Sequence, residues 1–158
     1  MNYLQIVSIL FAGLAMLGGG VYMKTRGLRN NNAGNIELNN IKWDGMAKVQ
    51  DDGRFIIFDA PEYGVRALAK ILVNYQVRHG INTVRGVINR YAPSVENNTS
   101  AYINHVASVV GVTPDAPLDF RKASVMRPVV EAIIKHENGL QPYSTALINK
   151  GLALAGVA

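Results

Sequence analysis

The sequence predicts an α+β domain, mostly helical with one small β-hairpin, preceded by one N-terminal transmembrane helix. Three observations carry that prediction. No charged side chain occurs from Met1 to Met23. Asp51-Asp52-Gly53 is a turn signal between two short β-prone runs. After Pro61, apolar residues recur at helical spacing in successive segments, each with its own start and stop residues.

The first element is the charge-free run. Ile6, Val7, Ile9, Leu10, Phe11, Leu14, Met16, Leu17 and Val21 supply its apolar surface, and Tyr3 and Tyr22 sit near its two ends. A helix of that length spans about 30 Å of hydrocarbon, and aromatic rings favour the membrane interface. A cleaved signal peptide would need a basic n-region and a small-x-small cleavage site, and the run has neither. The expectation is therefore an uncleaved anchor over residues 1–25 and a single globular domain over 26–158. Lys24, Arg26 and Arg29 follow the run, so the positive-inside rule places the domain on the cytoplasmic side of the membrane where it is made.

Arg26 to Asn35 reads as a polar loop rich in Asn and Gly. Ile36 to Phe58 reads as the β-region, with Trp43 in one candidate strand and Phe55-Ile56-Ile57-Phe58 in the other. Pro61 suits the first turn of a helix. Val65, Leu68, Ala69, Leu72 and Tyr75 then form one face, and Gly80 stops it. Thr83 caps a shorter helix bearing Val84, Val87, Ile88 and Tyr91, which Ala92-Pro93 ends. Asn98 or Thr99 caps the next, with Tyr102, Ile103, Val106 and Val110 on one face and Gly111 after it. A helix from about Lys122 to Glu137 carries Val125, Val129, Ile133 and Ile134, and Pro142 to Ala155 is the last.

Composition narrows the function. The 158 residues carry a formal net charge of +5 and a pI of about 9.6. That balance favours acidic partners: anionic lipid, nucleic acid or the acidic polymers of a bacterial wall. No helix concentrates Lys and Arg along one face, which argues against nucleic acid. The chain has no cysteine, so disulfides and Cys-ligated metal sites are excluded. His79, His105 and His136 lack metal-ligand spacing, and no phosphate-binding loop or nucleophile elbow appears. Neither a cofactor nor a metal is expected.

Glu137 is the candidate catalytic residue. It ends an apolar helix, Ile133-Ile134-Lys135-His136-Glu137, and Asn138-Gly139 follows. A carboxylate there opposes the helix macrodipole. Desolvation against a core surface raises a carboxyl pKa, which suits a general acid near neutral pH. Glu62 belongs to a first turn, Glu96 to a capping turn, and Asp51 and Asp52 to the hairpin turn.

Three stretches carry a family resemblance: Arg26-Gly27-Leu28-Arg29-Asn30-Asn31-Asn32-Ala33-Gly34-Asn35-Ile36, then Trp43-Asp44-Gly45, then Phe55 to Leu68 with Pro61-Glu62-Tyr63-Gly64-Val65-Arg66-Ala67. Arg90-Tyr91-Ala92-Pro93 and Tyr102-Ile103 continue the pattern. Together they resemble a recurring phage module of the lysozyme superfamily, similar to glucosaminidases and lytic transglycosylases that cleave peptidoglycan. Ala33 stands where that module usually has proline. The module's catalytic Glu usually precedes the hairpin, whereas Glu137 comes last, an order that a circular permutation reconciles.

The resemblance implies a lysozyme-like domain that binds peptidoglycan glycan strands, with Glu137 as the acid. Gly34, Asn35, Trp43 and Tyr102 would hold the glycan, aromatic rings being suited to sugar faces. Combined with the anchor, it implies a single-pass phage virion protein that aids wall penetration. Such a protein would lie in the virion internal membrane or the host inner membrane, with lipid, capsid or other virion membrane proteins as partners. The alternative is a non-enzymatic phage structural membrane protein that keeps the fold.

Overall fold

The computed structural model describes residues 25–93 and 98–158. Six helices follow in order: α1 (Arg26–Arg29), α2 (Pro61–His79), α3 (Val84–Tyr91), α4 (Asn98–Val110), α5 (Ala123–Asn138) and α6 (Thr145–Leu154). Their ends obey local chemistry. Pro61 opens α2, where its missing N–H costs nothing. The Thr83 and Ser144 hydroxyls accept from the backbone N–H groups of Gly86 and Leu147, capping α3 and α6. Gly80 and Gly139 end α2 and α5 in the left-handed conformation.

The apolar faces meet in one core. Val65, Leu68, Leu72 and Tyr75 from α2, Ile88 and Tyr91 from α3, Tyr102 and Val106 from α4, and Val129, Ile133 and Ile134 from α5 are all buried there. Helix α2 packs chiefly on α6, and α4 on α5. The α2–α6 approach is close enough that a Cβ on Gly151 would sit 2.5 Å from a methyl of Val65. The ion pair from Lys150 Nζ to Glu62 Oε1, 2.7 Å, closes the same interface from outside.

The α+β, lysozyme-like class is corrected by this architecture. Among the described residues there is no β-strand, only two isolated antiparallel bridges, Glu37 with Phe55 and Met46 with Phe58. The reason lies in the side chains that take up the ladder's polar groups. Asn32 Nδ2 donates to the carbonyls of Ile36 and Ile56, and its Oδ1 accepts from Ile36 N. Gln50 Nε2 donates to Ala47 O and Ile57 O, and its Oε1 accepts from Ile57 N. Side-chain amides thereby satisfy backbone groups that a hairpin would pair with each other. Trp43 consequently lies outside any strand, and Arg26 to Arg29, expected as loop, form a helical turn.

The single-pass membrane assignment, in a virion or host membrane, is corrected as well. Among the described residues no helix is long and apolar enough to cross a membrane. The longest, α2, is interrupted by Glu62, Arg66, Lys70 and Arg78. The run assigned as the anchor, Met1 to Met23, lies outside the described residues, as does Glu96.

Candidate active site

The site forms where the Asn-rich segment crosses the C-terminal end of α5. Helix α1 and the following turn bring the chain back on itself with Asn31 and Asn35 in the left-handed region, at φ 52° and 50°. Asparagine tolerates that conformation better than other side-chain-bearing residues. The buried Asn138 then clamps the segment to α5. Its Nδ2 donates to Ala33 O and Ile134 O, each 3.0 Å, and its Oδ1 accepts from the Thr25 hydroxyl at 2.9 Å.

That clamp delivers Asn35 to Glu137. Asn35 Nδ2 donates to Glu137 Oε2 at 3.3 Å and to the Glu137 carbonyl at 3.2 Å. From α4, the Tyr102 hydroxyl donates to the other carboxylate oxygen, Oε1, at 3.2 Å. Burial pushes the Glu137 carboxyl up to about 7, against the opposing pull of the Asn35 and Tyr102 hydrogen bonds. Desolvation therefore wins over two favourable donors. Glu137 as a residue keeps partial exposure. Tyr102 is itself positioned by the His136 ring, stacked on it at 3.4 Å between centroids and 9° between planes. Burial, with His105 nearby, lowers the His136 pKa, which favours the neutral ring.

Gly34 is held by Tyr91, whose hydroxyl donates to the Gly34 carbonyl. A Cβ at position 34 would meet that hydroxyl at 2.2 Å, so the close approach requires glycine. Burial pushes the Tyr91 and Tyr102 phenols well above their ordinary value, and the nearby Glu137 carboxylate acts in the same direction. Both remain hydrogen-bond donors throughout the physiological range.

The structure thus brings together Glu137, Asn35 and Tyr102, with Gly34 one residue behind. Trp43 does not join them. It lines a separate cavity beside α2, whose lining includes none of the other site residues. Sequence reasoning missed Asn138 and Tyr91. Asn138 adjoins Glu137 and looks like an ordinary helix-end amide, and Tyr91 reads as a core position and part of the Arg90-Tyr91-Ala92-Pro93 pattern, with no site role. Asp52 is more than a turn residue. It also accepts from Arg26, Asn30 and the backbone of Phe55, tying α1 to the opposite side of the loop. Among the described residues no group of three or more His, Cys, Asp or Glu is placed to hold a metal ion.

No family model matches the sequence. The chain is 37% identical over 142 residues to Protein P5 of Pseudoalteromonas phage PM2, an alignment covering 88% of this chain and 87% of that protein. Identity of that level over nearly the full length of both proteins means that the chain belongs to the same family as the phage Protein P5.

Proposed function

We propose that this protein cleaves the glycan strands of peptidoglycan, with Glu137 as the general acid. The observation that carries the reading is the desolvated Glu137 carboxyl, shifted to about 7 and held from both sides by Asn35 and Tyr102. A carboxyl in that range is protonated often enough to donate and ionised often enough to take the proton back. The motif resemblance to phage glycan-cleaving modules supports the substrate class, and the phage origin of the relative is consistent with it.

In the proposed reaction the protonated Glu137 gives its proton to the glycosidic oxygen as the bond from that oxygen to the anomeric carbon breaks. The hydroxyl on carbon 6 of the same sugar attacks the anomeric carbon. Its proton passes to the Glu137 carboxylate, which restores the acid and leaves a 1,6-anhydro end. Among the described residues, burial, Asn35 and Tyr102 set the Glu137 pKa. A one-carboxyl mechanism of this kind uses Glu137 as acid and then as base. Tyr102 and Asn35 position the carboxyl and favour its anionic form after proton transfer.

Zymography on purified cell wall tests the reading. Wild type should clear the wall, and Glu137→Gln should lose about 10²- to 10⁴-fold of the rate, the usual weight of general acid catalysis. Activity should fall as pH rises through about 7, where the acid ionises. Equal clearing by both proteins would remove Glu137 from the chemistry. Absence of clearing by wild type would favour the alternative, a non-enzymatic phage structural protein in which the three side chains only brace the Asn-rich segment.

A further inference from the structure

Gly27, a buried residue of α1, lies against both amides that converge on the end of α5. A Cβ at position 27 would stand 2.3 Å from Asn35 Oδ1 and 2.4 Å from Asn138 Oδ1, with the Asn32 carbonyl 3.0 Å away. A real carbon does not approach oxygen so closely, so any side chain at 27 must displace one amide or both. The backbone itself does not ask for glycine. Gly27 is helical and is not among the residues of positive φ, and in a helix alanine is the better former. Space is therefore the reason for glycine here.

Neither amide is free to swing aside. Asn138 is held at both ends, through Nδ2 by the Ala33 and Ile134 carbonyls and through Oδ1 by the Thr25 hydroxyl. Asn35 Nδ2 is engaged by the carboxylate and the carbonyl of Glu137. Asn35 Oδ1 is buried and has no hydrogen-bond donor among the described residues. The hydrogen that glycine carries in the Cβ direction points between the two amide oxygens, a weak Cα–H···O contact in place of a clash. Asn35 thus bears two costs, an unpaired buried oxygen and left-handed backbone at φ 50°. What the side chain gains is its hold on Glu137.

We propose that Gly27 is a positioning residue for Glu137: its missing side chain is what seats the Asn35 amide on the carboxylate, with Asn138 closing the other side. The catalytic consequence rests on the reading of Glu137 as the acid, whereas the seating of Asn35 does not.

Carbon-13 NMR titration of the Glu137 carboxyl in the full chain tests it, beside wall clearing. The Asn35 hydrogen bond holds the Glu137 pKa down, so Gly27→Ala, by unseating that amide, should raise it by about one pH unit, the weight of one hydrogen bond to a charged group. Asn35→Gly, which keeps the left-handed backbone, should raise it equally, and adding Gly27→Ala to Asn35→Gly should raise it no further. Gly86→Ala is the control, since a Cβ there is also crowded, 2.8 Å from an Ile81 methyl, but in α3 and against none of the site residues; it should leave the titration unchanged. An unchanged or lowered Glu137 pKa in Gly27→Ala, or an equal rise in Gly86→Ala, would overturn the proposal. Should Gly27→Ala fail to fold, as read by circular dichroism, the double variant with Asn35→Gly should restore folding; a double variant that stays unfolded would make Gly27 a packing residue only. Where the wall is cleared, the upper limb of the pH profile should move with the titration. No clearing by wild type would remove the catalytic reading and leave the seating of Asn35 standing.

Discussion

The segment from Thr25 to Asp59 and the helices from Pro61 onward are held by different forces. The helices are joined by apolar faces, with Leu68, Leu72, Ile88, Val106 and Ile133 fully buried among them. The earlier segment contributes few core side chains, chiefly Ala33, Ile36, Ile56 and Phe58. Its path is fixed mainly by amides and charges: Asn32 and Gln50 on backbone groups, Asn138 reaching in from α5, and Asp52 gathering Arg26 and Asn30. Hydrophobic packing is non-directional and tolerates sliding. Hydrogen-bonded networks fix angles and distances. The proposed chemistry sits where the directional half meets the packed half, which is where a reactive carboxyl can be both desolvated and aimed.

Substitutions on each side should separate the two. The largest effect is expected in the packed half. Ile133→Ala empties a fully buried site and should cost about 2–5 kcal/mol in chemical denaturation, with every spectroscopic probe shifting together. Next comes the clamp. Asn138→Ala removes three hydrogen bonds and strands the Ala33 carbonyl, for roughly 2–4 kcal/mol. Amide exchange should then accelerate first from Gly27 to Ile36, ahead of α2. Simultaneous loosening of both halves would show that the comparison draws the boundary in the wrong place.

Glu137→Gln should move stability the other way. The folded carboxyl titrates near 7 against an ordinary 4.5, so the folded state holds its proton more tightly than the unfolded chain. That contribution is complete below about 4.5 and is lost as pH rises through 7. The neutral amide escapes the loss, so the variant should be more stable than wild type by roughly 3 kcal/mol at pH 8 and nearly equal to it at pH 4. Thermal melts at the two pH values read this directly. The smallest effect is expected at Asp52. Burial raises its carboxyl, but hydrogen bonds from Arg26, Asn30 and the Phe55 and Arg54 backbones prevail and hold it well below the ordinary 3.8. Its contribution is therefore present above about 3.8 and fades as pH falls below that. Asp52→Asn should cost about 1 kcal/mol at neutral pH, with the difference from wild type shrinking in acid.

The same division explains what could be read from the sequence. Helical period and end residues such as Pro61 and Thr83 are local signals, and α2 and α3 start where those signals place them, whereas the last helix, expected from Pro142, starts at Thr145 behind the Ser144 cap. The hairpin failed because alternation and a turn do not reveal that Asn32 and Gln50 will occupy the ladder's polar groups from a distance. Glu137 was visible as a carboxylate misplaced at a helix end. Asn35 and Tyr102 entered only through resemblance, since 102 and 35 residues of sequence separate them from Glu137. Trp43 lies apart from Glu137, on the cavity beside α2; an aromatic beside a turn carries no information about which part of the fold it will face.

Positions 137 and 138 are neighbours with opposite effects on the fold. Glu137 carries the proposed chemistry at a cost to folding, whereas Asn138 carries the geometry of the loop. If the proposed chemistry holds, a lineage that loses the acid gains stability at neutral pH and keeps the loop in place, because the neighbouring amide maintains it. Inactive descendants should then be easy to reach by drift and hard to distinguish by shape. Within such a family, a carboxylate at position 137 would separate proteins that still cut from those that only retain the scaffold, whereas the asparagine at 138 would mark both.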